Sequence, residues 1–202
     1  MKKKNRKFKF TLQSTLIVVL FCFSLLGCKV TNKIYEENDI VYSTKRIELK
    51  LDHHLQNQRS PLTYAKQSIV KEISENGTVY KVFDALILTS LSYQVEDKVY
   101  IIIDNEFFAM EIDKKEYEHT REIVEQKEDI ATSDSTSISV VTGYSENNRK
   151  ITRFSYKLPD NVIKKIKNTN RVLFRYYSGP DMMTITLDGR KLKKLKQLID
   201  RI

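Results

Sequence analysis

Tryptophan is absent from this chain, and its two cysteines, Cys22 and Cys28, both fall within the first 28 of its 202 residues. Beyond Cys28 there is no thiol left to oxidise, so disulfides are excluded as a source of stability and packing must supply it. Five glycines and three prolines are too few for a low-complexity or disordered body. No apolar run approaches the ~20 residues that a membrane-spanning helix needs. The longest, from Leu16 to Gly27, has 12 residues and is interrupted by Ser24. There is also no Gly-x-Ser-x-Gly elbow to expose a nucleophile, no Walker loop, no Gly-x-Gly-x-x-Gly and no internal repeat. The sequence therefore calls for no nucleotide and no other cofactor.

A one-sided charge is missing as well once the chain is divided. The formal +9 owes much to Lys2, Lys3, Lys4, Arg6, Lys7 and Lys9, which lie in the first ten residues with no acid among them. Residues 28–202 hold 29 bases against 26 acids, which removes the argument for nucleic-acid binding. Within that part the charge is uneven. Residues 28–148 carry 14 bases and 22 acids, whereas residues 149–202 carry 15 bases and four acids. The two stretches are expected to pack against each other in one domain, with a basic surface toward an anionic lipid or polymer as the alternative.

What is present at the amino terminus is a basic start, then an apolar run, then Leu25-Leu26-Gly27-Cys28. The order matches the charged and apolar regions of an export signal. These residues resemble the lipobox of bacterial lipoprotein precursors. The resemblance covers about 30 residues and leaves the fold beyond them open. It implies cleavage before Cys28, a thioether from Cys28 to diacylglycerol and, often, acylation of the new amino group. Each buried methylene contributes about 0.8 kcal/mol, so one chain holds marginally and two or three hold firmly. Cys28 would then be an anchor to the membrane and not a catalyst. An uncleaved amino-terminal membrane helix is the other reading. Both place Lys29 onward outside the cytoplasm, because the basic end stays inside. In cells with two membranes, the resemblance with Lys29 after the anchor points to the outer one.

On this reading residues 1–27 are a signal peptide, 28–39 a polar tether and 40–202 a single globular domain. Ile47, Leu49 and Leu51 alternate with Glu48, Lys50 and Asp52, the period of a half-buried strand; residues 53–61 read as a loop. Ser68–Ser74 and Thr78–Tyr93 flank Glu75-Asn76-Gly77, and Asn-Gly suits the positive φ angles of a tight hairpin. Val99–Ile103 and Phe107–Ile112 flank Asp104-Asn105-Glu106 in the same way. Residues 113–137 are charged and unpatterned, and are expected to be loop with one helical stretch. Ile138–Tyr144 and Lys150–Leu158 read as a strand pair turned at Glu146-Asn147-Asn148.

A helix is expected to start at Pro159-Asp160, bury Val162, Ile163 and Ile166, and end at Asn168-Thr169-Asn170. Strands Arg171–Ser178 and Met182–Leu187 follow. A last helix, capped by Asp188, would bury Leu192, Leu195, Leu198, Ile199 and Ile202. The sum is an α+β fold, mostly antiparallel sheet built from hairpins with two helices packed on it; a β-sandwich with appended helices is the alternative.

Chemistry is sparse. Asp52-His53-His54 is the one local cluster of metal-ligand type, but adjacent strand residues point to opposite faces, so no metal site is assigned. Paired carboxylates such as Glu111 with Asp113 sit where solvated turns are expected. No catalytic residue stands out. Arg171, Arg175, Tyr176 and Tyr177 place cations and aromatics on one strand, and Lys191 and Lys194 mark the basic face of the last helix. A partner surface of Arg171, Arg175, Tyr177, Lys191 and Lys194 is therefore the candidate, for an envelope protein or anionic polymer. The expected function is a lipid-anchored, non-enzymatic binding or structural module of the cell envelope. The alternative is a tethered hydrolase of an envelope polymer using His53, His54 or His119.

Overall fold

Strand alternation decides which side chains the domain buries, and β2 (Thr44–His54) shows it most plainly. Ile47, Leu49, Leu51 and His53 point inward, with Glu48, Lys50 and His54 turned away. A computed structural model describes residues 32–202 except 56–59, 90–91 and 132–136. The residues read as a signal peptide, and Leu25, Leu26, Gly27 and Cys28 read as resembling a lipobox, lie outside the described residues.

The remaining strands are β1 (Ile34–Asp39), β3 (Leu62–Ser74), β4 (Gly77–Thr89), β5 (Lys98–Ile103), β6 (Glu106–Glu111), β7 (Lys114–Ala131), β8 (Ser137–Leu158), β9 (Val172–Ser178) and β10 (Asp181–Leu187). Two helices, α1 (Asp160–Asn168) and α2 (Gly189–Asp200), complete the described elements. A six-stranded sheet runs β1-β2-β3-β4-β8-β7, a four-stranded one β10-β9-β5-β6, and the pairings within both are antiparallel. The fold is thus α+β and mostly antiparallel, as the sequence predicts.

The inward faces of the two sheets and of both helices share one apolar cluster. Val82, Leu86, Phe154 and Tyr156 supply it from the larger sheet. Ile101, Phe174, Tyr176 and Ile185 supply it from the smaller. Burying a side chain of this size contributes roughly 1.5–3 kcal/mol, which is how a chain without disulfides holds together. The helices begin and bury as expected, α1 through Val162, Ile163 and Ile166 and α2 through Leu192, Leu195, Leu198 and Ile199. Ile202 departs from that stripe: α2 stops at Asp200 and Ile202 is exposed. Asp188 stands at the cap position of α2 without a side-chain cap bond.

Turn chemistry sets the hairpins. Asp104 and Asn105, with φ of 47° and 67°, make a two-residue turn between β5 and β6, as mirror-image turns require. In the β3–β4 turn only Gly77 takes a positive φ, of 115°, and Asn76 does not.

Four segments differ from expectation. Ile34–Asp39, read as tether, pair with β2 as an edge strand. His53 and His54 belong to β2 and not to a loop. Residues 114–131, read as loop with some helix, form β7, and β8 is one strand of 22 residues with no turn at Glu146-Asn147-Asn148. The reason for the last two is mutual: β7 pairs along its whole length with residues 137–155 of β8, and that ladder overrides weak local preference.

Candidate functional site

The length of that ladder creates the most distinctive surface of the molecule. β4 pairs with β8 only from Leu158 back to Arg149, so residues 137–148 of β8 have β7 as their one strand neighbour among the described residues. Beyond the sheet, therefore, β7 and β8 continue as a two-stranded ribbon whose outer backbone edges are both unpaired among the described residues. Direct pairing puts Ile130 opposite Ile138, and Glu128 opposite Val140, on one face. Ile123 lies opposite Glu146, Glu125 opposite Tyr144, and Lys127 opposite Val141 on the other. A bulge at Gln126/Lys127 carries the register across Thr142. Ile123, Ile130, Ile138 and Tyr144 are each more than half exposed. An isolated two-stranded ribbon is marginal in water, and open edges of this kind accept a further strand.

Charge on the ribbon is acidic. Glu122, Glu125, Glu128, Asp129 and Glu146 outnumber Arg121 and Lys127. Arg121 is spoken for, because it pairs with Glu146, whose carboxyl is held below its ordinary pKa by that guanidinium and by Asn148. At its root the ribbon borders an open groove of about 760 Å³, lined by His54, Tyr64, Ile87, Thr89, Glu146 and Arg149 among others.

A second concentration of polar groups lies in the core and has a different character. Asp84 of β4 is buried, and its Oδ2 accepts hydrogen bonds from Tyr156 at 3.0 Å and Tyr176 at 2.8 Å. Burial pushes its carboxyl up to about 6, against the downward pull of those hydroxyls and of the Gln67 amide. Gln67 pairs with Asp84 across β3 and β4, yet neither of its amide atoms, nor Asp84 Oδ1, has a hydrogen bond of normal geometry among the described residues. Both tyrosines are raised well above 10, first by burial and then by the adjacent carboxylate. Sealed between the sheets, this cluster joins them. An acid inside the run Val82-Phe83-Asp84-Ala85-Leu86, at a core-facing position, is the sequence signal that marks it.

The three histidines are placed apart by strand geometry. His53 points into the core and His54 outward, where its ring meets Tyr64 at 4.7 Å. His119 sits on exposed β7 opposite Lys150. Lys191 donates to the Asp52 carbonyl at 2.7 Å and to Nδ1 of His53 at 3.0 Å. An ammonium cannot accept, so Nδ1 is bare and the proton is on Nε2, which is buried without a partner among the described residues. Burial, then Lys191, lowers His53 to about 4.

The surface expected from Arg171, Arg175, Tyr177, Lys191 and Lys194 divides. Arg175 and Tyr177 share the outward face of the smaller sheet, where Tyr177 meets Tyr100 edge-on at 5.6 Å and Arg175 reaches Thr184 at 3.4 Å. Tyr176, between them, is core. Arg171 is exposed just before β9, and Lys194 is exposed on α2. Lys191 instead turns against β2 and is lost to any solvated patch. The acidic and basic stretches do meet, through Arg153–Glu118 at 2.6 Å, Lys165–Glu106 at 2.8 Å and Arg201–Glu36.

No protein-family model, curated protein or solved structure matches the chain. Its own geometry therefore carries the functional reading.

Proposed function

We propose that this chain is a lipid-anchored protein of the cell envelope, and that its β7–β8 ribbon is the arm by which it docks on another envelope protein. The anchor part rests on the lipobox at Leu25-Leu26-Gly27-Cys28. The docking part rests on one observation: the ribbon leaves the sheet with apolar side chains on both faces and both edges open. Strand addition suits such an edge, because backbone hydrogen bonds give affinity and alternating pockets give specificity. The acidic balance of the arm favours a partner segment with basic and apolar residues in alternation. The inward histidine and the sealed carboxylate favour a binding role over catalysis. Cys28→Ser should abolish membrane partitioning of the exported chain. A photo-crosslinking residue at Tyr144 should give a discrete adduct in cells, whereas one at Phe107, on the smaller sheet, should not. Equal adduct patterns from both positions would refute the docking arm.

A further inference from the structure

The turn between β1 and β2 presents Ile40, Val41 and Tyr42 in succession, exposed by 91%, 84% and 76%. Nothing else among the described residues puts three large apolar side chains so completely into water in a row. Their display is ordered, not accidental. Oδ1 of Asp39 accepts from the backbone N–H of Val41 at 2.9 Å and of Tyr42 at 3.1 Å, and Ser43, at φ 49°, closes the loop. An ordered tip has already lost the conformational freedom that insertion elsewhere would cost. Beside its foot, Lys45 holds the carbonyl of Ile202 at 2.6 Å, and Ile202 is itself almost fully exposed.

We infer that Ile40-Val41-Tyr42 dips into the outer layer of the same bilayer that holds Cys28; this rests on the anchor reading above. The chain outside the described residues leads directly to this hairpin. Lys29 to Lys33 separate Cys28 from Ile34, a contour of at most ~20 Å, and β1 adds ~20 Å more to reach the tip. Tethering on that scale gives an effective concentration in the millimolar range, so a weak insertion becomes populated. Composition fits a lipid surface better than a protein groove: two aliphatic side chains would enter the acyl region, and tyrosine would keep its hydroxyl at the headgroups. Charge around the foot is balanced, with Glu36, Glu37, Asp39 and Glu72 beside Lys45, Arg46, Lys81 and Arg201. The attraction is therefore apolar, and should depend on neither anionic lipid nor salt.

The absence of tryptophan makes the test direct. Tyr42→Trp protein, expressed with its own amino-terminal segment, purified from membranes and reconstituted into vesicles of phosphatidylcholine alone or with phosphatidylglycerol, should show blue-shifted emission quenched by brominated lipid, equally in both. Tyr144→Trp, on the ribbon, should emit as in water. A blue shift at position 42 without bromolipid quenching would overturn the inference, because it signals protein contact. Water-like emission at position 42 would also overturn it. Intact mass of the same samples reads the lipid on Cys28 separately. Lipid on Cys28 with water-like emission from the Tyr42→Trp indole sinks the insertion and leaves the anchor. Bare Cys28 with bromolipid quenching of that indole does the reverse.

Discussion

Tyr176 on β9 donates its hydroxyl to Oδ2 of Asp84 on β4 at 2.8 Å, so a polar bond crosses from the smaller sheet to the larger. Tyr156 shares the same oxygen. Because Asp84 titrates at about 6 when folded and near 3.8 when unfolded, the folded state holds the proton better. Its contribution is fully present below pH ~4 and declines as pH rises to 6, by about 3 kcal/mol. Asp84→Asn should remove that decline and make the protein more stable at pH 7.5 by roughly 1–3 kcal/mol. Denaturant unfolding at pH 4 and 7.5 checks it. Tyr176→Phe should raise the Asp84 midpoint further, because one of the bonds that lowers it is lost.

His53 has the opposite sign over nearly the same window. Its folded value of about 4 lies below the ordinary 6.5, so the unfolded chain binds the extra proton. Stability from this group is present above pH ~6.5 and is lost by about 3 kcal/mol as pH falls to 4. In the parent the two groups offset one another, giving a flat stability profile between pH 4 and 6.5. Asp84→Asn should expose a loss on acidification, and His53→Gln a gain. A steep parent profile in that range would contradict the pairing.

Lys71 ends the chain's last helix from outside. It is buried, donates to the carbonyl of Ile199 at 2.8 Å and also to that of Arg201, and burial lowers its pKa. These carbonyls have no intrahelical donor. Lys71→Met should cost about 1–3 kcal/mol and speed amide exchange in the last turn of α2. Unchanged exchange there would show that the lysine is not the cap.

At the β9–β10 turn Gly179 has φ 58°, and a Cβ placed there would come within 2.6 Å of Cγ of Tyr93. Gly179→Ala should cost on the order of 1–3 kcal/mol through backbone strain and displacement of Tyr93. Adding Tyr93→Ala should recover part of the cost in thermal unfolding, but not the backbone part.

Replacing residues 122–147 by Asn-Gly should leave the domain folded, with an unfolding midpoint close to the parent's. The paired residues Arg121 and Asn148 offer a hairpin closure, and the segment removed contributes no side chain to the core among the described residues. A large fall in stability would mean that the ribbon supports the body instead of projecting from it.

Legibility in the sequence followed burial. Ile47, Leu49 and Leu51 alternate because one face of β2 is core, and α1 and α2 declare themselves through stripes they bury. β7 carries no such pattern, since residues 116–130 are exposed on both faces and no core selects their side chains. What makes it a strand is pairing with β8, a non-local cause that no window of residues contains. Asn148 and Glu146 look like a turn but bond to each other along an extended strand, at 3.2 Å. The candidate surface split for a related reason: Lys191 is drawn inward by the Asp52 carbonyl, and helical spacing cannot reveal a partner on another element. The expectation for Cys28, by contrast, rests on local order alone, since basic start, apolar run and Leu25-Leu26-Gly27-Cys28 are contiguous.

The most direct test of the docking arm is amide exchange along residues 119–131 and 137–148, compared between isolated native membranes and detergent-purified protein. Free ribbon edges exchange fast, and a strand added to either edge slows them. The expected result is protection in membranes that disappears on purification, while β2 to β4 stay protected in both. Equally fast exchange of the ribbon in both states would contradict it.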